Sequence, residues 1–351
     1  MQLKQVAKKS KIGAFKTKCS TFAKSCDMKT LGLIVPYDYK LLSIAAIIDV
    51  FETVNRICAE NNREIPFQVQ LVRTPDQMKK EGCLLYGYHV KSIKSSFKPD
   101  IVLLPSFTTD NMADTLAKNV VFIPWLQRQY MYGAEVASFC TGAFLFGASG
   151  LLNGKLATTH IDACNRFAAS FPEVLLKPDL VVTIDGRCAT SGGSTSTFHL
   201  LLYLVQKYCG NEMAVRIAKI FAIDMDRYKQ NHFGSFKPSH NHKDELVRKV
   251  QDSIEKKYPE IETIEEILRD IPSSRRNIVR RFKQVTGISP IEYLQYVRIE
   301  SAKKQLEQTS HNINEIIGHT GYMDPKSFRK TFNKIVGMTP LAYRDKFKAV
   351  M

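Results

Sequence analysis

The chain has 351 residues, 44% hydrophobic and 10% aromatic, a composition that excludes a wholly disordered protein and a length that suits two domains with separate cores. No apolar run approaches the roughly 20 residues that span a bilayer, and the eight cysteines form no CxxC pair, so the chain reads as a soluble cytoplasmic protein without a zinc site or disulfide framework. The net charge of +16 is uneven: residues 1–30 carry +7, residues 31–228 only +1, residues 229–243 +3 and residues 244–351 +5, which points to a polyanionic partner for the C-terminal region.

Residues 1–29 are rich in Lys, Ser and Thr and lack the apolar stretch of a secretory signal. A basic, disordered tail is the expectation. Beyond them, LGLIVPY is a buried-strand run, and SIAAIIDVFETVNRICAENN has helical apolar spacing. FQVQLVR alternates, KPDIVLLPSF is a second buried strand, and LVVTIDGRCATSGG reads as a hairpin turning at Asp185-Gly186. STSTFHLLLYLVQKYCG is a helix expected to stop at its glycine. Strands that alternate with helices imply a flavodoxin-like, mostly parallel sheet with helices on both faces.

Within this region VASFCTGAFLFGASG places Cys140 at a strand-to-helix turn, where a helix N-terminus favours thiolate and open sheets bind ligands. His160, in TTHI, is a candidate partner for the sulfur. The plainer alternative makes Cys140 a small buried apolar residue and His160 a hydrogen-bonded polar one.

Three blocks, LGLIVPYDYKLLSIAAIIDVFE, CTGAFLFGASGLLNGKLATTHI and IDGRCATSGGSTSTFHLLLYLVQKYCG, carry a resemblance. Residues 30–227 resemble the class I glutamine-amidotransferase-like superfamily in its PfpI and amidase-like branch. The resemblance makes Cys140 the elbow residue with His160 across the pocket. It also exposes departures from active members: the position of their activating acid is Ser43, Asp49 lies further along the same helix, and Ser106 and Phe107 replace the glycine donor loop. The expectation is an inactive elbow retained as a ligand pocket formed by Ser43, Ser106, Cys140, Thr141 and His160.

Residues 228–243 are polar and contain His232, His240 and His242, which could ligate a metal but read more simply as a flexible linker with no metal. Further on, FKQVTGISPIEY at 282–293 and FNKIVGMTPLAY at 332–343 repeat Phe, Gly, Pro and Tyr at equal offsets, so the C-terminal region is an internal duplication. Each copy follows a short amphipathic helix and a basic second helix, the pattern of a helix-turn-helix. Ile264, Ile267, Leu268, Ile278 and Phe282 form the buried face of the first unit, and Ile313, Ile316, Ile317, Phe328 and Phe332 that of the second. The outward candidates for DNA are Arg275, Arg276, Asn277 and Arg280, then Lys326, Ser327, Arg329 and Lys330.

RRFKQVTGISPIEYLQYVRIESAKKQLEQT, INEIIGHTGYMDPKSFRKTF and VGMTPLAYR make residues 244–349 similar to the AraC/XylS family of transcription activators. By that resemblance base reading falls on Arg276, Val279 and Arg280, and on Pro325, Lys326, Arg329 and Lys330. It implies a regulator of transcription at the nucleoid that binds promoter DNA and RNA polymerase. The sensor domain would take a small-molecule effector and pair the chain into a homodimer. No cofactor is implied. The alternatives are a thiol hydrolase or amidase, or a redox sensor acting through Cys140, tethered to DNA.

Overall fold

In the computed structural model residues 28–348 are described, apart from Lys237, Ser239, Asn241 and Asp270; the expected basic tail thus lies outside the described residues except at Met28 and Lys29, and Lys29 already belongs to the first strand. Chain order runs β1 (Lys29–Ile34), α1 (Leu41–Glu60), β2 (Phe67–Arg73), α2 (Pro75–Glu81), β3 (Leu84–Leu85), β4 (Tyr88–Ser92) and β5 (Ile101–Leu104). It continues through α3 (Met112–Asn119), α4 (Ile123–Met131), β6 (Glu135–Phe139), α5 (Ala143–Ala148), β7 (Leu156–Ala157), α6 (Cys164–Ser170), β8 (Leu175–Leu176), β9 (Val182–Asp185), β10 (Cys188–Ser191) and α7 (Ser196–Ile220).

The main sheet has eight strands in the order β3-β4-β2-β1-β5-β6-β10-β9. The inner six are parallel, and the edges β3 and β9 are antiparallel. This is the mostly parallel sheet expected. Period-two alternation divides the strands between two cores: Leu31, Leu33, Ile101 and Leu103 face α1 and α7, while Ile34, Val102, Leu104 and Val136 face α4 and α5. The hairpin forms as expected, with Asp185 opposite Cys188 and Gly186 at φ 60°. Helix α7 breaks at Gly210 (φ 86°, ψ 168°), but helical structure then resumes, because Met213, Ala214 and Ile217 return to the α1 side of the core. The short α2 and α3 and the small β7–β8 sheet were not read from the sequence.

The C-terminal region is helical: α8 (Glu245–Lys257), α9 (Ile264–Arg269), α10 (Arg275–Thr286), α11 (Pro290–Gln308), α12 (Ile313–His319), α13 (Pro325–Val336) and α14 (Pro340–Phe347). It holds two separate cores. Tyr293 and Leu294 at the start of α11 belong to the first, and Ile299, Ala302 and Leu306 further along belong to the second. No helix among the described residues is long and apolar enough to cross a membrane.

The repeated Phe-Gly-Pro-Tyr signature now has a physical basis. Gly287 and Gly337 adopt φ 81° as left-handed caps of α10 and α13. Ser289 and Thr339 cap the next helices, with Pro290 and Pro340 at the first turn. Tyr293 stands edge-on to Phe282 at 5.3 Å, as Tyr343 does to Phe332 at 5.8 Å. Their hydroxyls donate to Glu255 on α8 and Glu307 on α11, each at 2.5 Å. Helix α8 therefore serves the first unit as α11 serves the second.

Candidate functional site

Strand β6 delivers Cys140 to a tight turn at the carboxyl edge of the sheet, where Cys140 has φ 55° and is 3% exposed. Gly142 follows because a Cβ there would overlap the carbonyl oxygens of Leu104 and Pro105. Burial pushes the Cys140 thiol up from its ordinary 9.0, against the opposing pull of Thr141 and the Lys40 ammonium. The elbow geometry is present, but burial disfavours the thiolate there.

Its expected neighbours are occupied. Ser43 Oγ accepts the Ser106 N–H at 3.1 Å, and Thr141 Oγ1 accepts the Phe107 N–H at 2.9 Å. Both amides of the donor loop are thus bound within the protein. Asp49 is exposed on α1. His160 Nδ1 accepts the Asp162 N–H at 3.2 Å, which puts the proton of the neutral ring on Nε2. Burial holds this imidazole below its usual 6.5, with Asp162 opposing and Lys40 adding to the effect. Among the described residues no hydrogen bond joins Cys140 Sγ to His160.

Three residues around the elbow were not anticipated. Lys40, just before α1, donates from Nζ to Ser194 Oγ at 2.9 Å, and among the described residues no carboxylate lies within ion-pair distance of it. Gln230 places its amide against Gly192, where a Cβ would overlap it, and accepts the Gly193 N–H at 3.0 Å. The signal for this close approach was the Gly192-Gly193 pair itself, which also stands against the His160 ring.

The segment read as a linker is packed in its first half. His232 is 7% exposed, Phe233 meets Phe347 edge-on at 5.8 Å, and Lys303 Nζ donates to the Gly234 carbonyl at 2.5 Å. Ser235 N–H donates to Asp162 on the elbow side, and Phe236 N–H to Glu300 on α11. The apolar content of NHFGSF accounts for this. His240 instead lies beside Glu255 at 3.1 Å, and His242 Nε2 pairs with Gln251.

In the C-terminal region α10 and α13 bury Ile278, Phe282, Phe328 and Phe332 completely, so the opposite faces point outward. Arg275, Arg276, Val279, Arg280, Lys283 and Gln284 share the outward surface of α10, with no acidic residue among them. Arg275 is tied to Glu265 at 2.8 Å, and Asn277 is held by Ser273 while it accepts from Arg280 at 3.0 Å. Arg276 and Arg280 are both exposed. On α13 Lys326, Ser327, Arg329 and Lys330 are all exposed, and Asp324 caps the helix start. Arg298 staples the units: it donates to the carbonyls of Tyr258 (3.0 Å) and Ile261 (2.5 Å) and stands over the Tyr322 ring at 5.3 Å.

Known proteins are similar to parts of this chain. Residues 269–346 match the family model described as a helix-turn-helix domain. The chain is similar to the HTH-type transcriptional regulator GbdR of Pseudomonas aeruginosa (strain UCBPP-PA14), with 26% identity over 226 residues, 62% of this chain and 59% of that protein. It is also similar to the lactose operon transcription activator of Staphylococcus xylosus, with 33% identity over 201 residues, 56% of this chain and 66% of that protein. The chain spans less than two thirds of the length of either relative. Among solved structures, a THiJ/PfpI family protein from Pseudomonas syringae aligns with a TM-score of 0.45 at 15% identity, covering 61% of this chain and 85% of that one. The C-terminal unit is a helix-turn-helix domain. It follows a mostly parallel α/β sheet that carries Cys140 at its carboxyl edge.

Proposed function

We propose that the chain is a sequence-specific transcription regulator, an activator by analogy with the lactose operon protein, in which residues 244–349 read promoter DNA and residues 30–227 sense a small molecule. Residues 228–243 join the two, and residues 1–29 are a basic extension. The observation that carries this reading is the pair of equivalent basic helices, α10 and α13, fixed by the shared helix α11 and by Arg298. Two such helices can enter successive major grooves about 34 Å apart, so one chain reads an asymmetric site. Arg276 and Arg280, with Lys326, Arg329 and Lys330, are the base and phosphate contacts; Val279 offers an apolar contact to thymine. Arg275, Asn277 and Ser327 act at the rim, where Glu265, Ser273 and Asp324 position them.

The elbow is a pocket and not a catalyst. A nucleophile needs an activated thiolate and free oxyanion donors. Here the thiol is raised, and the Ser106 and Phe107 amides are already bonded. Lys40, facing Ser194, selects an effector with an anionic group, received beside Ser43, Ser106, Cys140, Thr141 and His160. Pairing through the α/β domain gives a homodimer, which recruits RNA polymerase at the promoter in the cytoplasm.

Genome-wide mapping of sites bound by the full chain, with and without candidate anionic metabolites, tests this reading. Enrichment of sites with two elements about one helical turn apart is expected. No enrichment above background would overturn it.

A further inference from the structure

Helix α4 and residues 93–100, which lead into β5, meet at the amino ends of the parallel strands, the edge opposite the elbow. Between them lies a cleft of about 560 Å³, within the usual range for small-molecule sites. Trp125 and Gln129, one turn apart on α4 and each 2% exposed, form part of its wall. Trp125 Nε1 and Gln129 Oε1 have no hydrogen-bond partner among the described residues. A buried donor and a buried acceptor are each costly unless something pairs with them. The rim carries Lys94, Lys98 and Arg128, and no acidic residue lines the cleft. Lys98 rests 4.5 Å above the Tyr132 ring.

We infer that this cleft binds a small hydroxylated anion, either a hydroxy acid or a polyol phosphate. The wall asks for an acceptor at Trp125 Nε1 and a donor at Gln129 Oε1. A hydroxyl does both, a carboxylate cannot donate, and an ammonium cannot accept. The carboxylate or phosphate of the same molecule lies among Lys94, Lys98 and Arg128, where charge-assisted hydrogen bonds hold it. The site is separate from the elbow, and the DNA-reading proposal does not depend on it.

Trp125 is the sole tryptophan of the chain, so intrinsic emission of the full protein reports on this cleft. Gluconate and glycerol 3-phosphate are titrated beside sorbitol, which lacks the charge, and hexanoate, which lacks the hydroxyl. A saturable emission change with gluconate or glycerol 3-phosphate and not with the controls is expected, and the stronger of the two distinguishes carboxylate from phosphate. Gln129→Leu, and separately the exposed pair Lys98→Ala/Arg128→Ala, weaken binding about tenfold or more. The inference is overturned by no saturation below about 10 mM, a weak limit for a specific site. An equal response to the controls, or undiminished binding in both variants, overturns it as well; water alone then fills the cleft.

Discussion

Gln230 accepts the Gly193 N–H through its side-chain oxygen at 3.0 Å, while its amide nitrogen donates to Thr158 Oγ1 and to the carbonyls of Thr159 and Pro178. Thr159 in turn donates to the Cys140 carbonyl at 3.0 Å. Four residues past Gln230, the Gly234 carbonyl accepts Lys303 of α11. One buried amide thus stands between the elbow and helix α11. Gln230→Ala leaves those groups unpaired and lowers stability by about 1–3 kcal/mol. It should also abolish any effector-dependent change in DNA affinity, measured by anisotropy on a bound promoter fragment. A variant that keeps the effector response would show that the signal takes another route.

Cys140 should be a poor nucleophile. With its pKa raised above the ordinary 9.0, little thiolate exists at neutral pH, and Cys83 is exposed whereas Cys140 is not. Iodoacetamide at pH 8 should modify Cys83 first and Cys140 roughly tenfold more slowly or less, read by peptide mass mapping. Rapid stoichiometric labelling of Cys140 would restore the enzymatic or redox alternative.

His232 supplies a pH dependence. Burial, and then Lys346 and Arg227, lower its pKa from 6.5 to about 4, so it folds as the neutral ring. A depressed histidine binds fewer protons when folded than unfolded; its contribution is present above pH 6.5 and is lost as pH falls towards 4. Melting temperature should decline across that window, and His232→Gln should flatten the decline. An identical slope in the variant would assign the acid sensitivity elsewhere.

Arg298 couples the two helix-turn-helix units. Arg298 is 8% exposed, and its guanidinium is held against the Tyr258 and Ile261 carbonyls. Arg298→Met removes these bonds and orphans the carbonyls, which costs about 1–3 kcal/mol. Urea unfolding should show that loss, and unchanged stability would mean that packing of α11 alone fixes the units.

Much of this was legible in the sequence because it rests on local pattern. The buried strands, the Asp185-Gly186 turn and the duplicated Phe-Gly-Pro-Tyr units each depend on residues within a dozen positions of one another. What escaped depends on distance along the chain. Lys40 meets Ser194 across 154 residues, and Gln230 meets Gly193 across 37, so neither partner could be named from spacing. The glycine pair at 192 and 193 marked a close approach without saying what approaches. The linker misled for a related reason: its Gly, Pro and His content suggested solvation, while His232 and Phe233 find apolar partners only once α14 is in place. On the recognition helices the exposed face was clear, but the tie of Arg275 to Glu265 depends on the angle between α9 and α10.

The central claim, that α10 and α13 read adjacent grooves, is tested most directly by footprinting one mapped site with wild type, Arg276→Ala/Arg280→Ala and Lys326→Ala/Arg329→Ala. Each pair should lose protection over its own half of the site, the halves about 34 Å apart, and weaken overall binding by at least about tenfold. Wild-type protection over both halves in both variants would contradict the account.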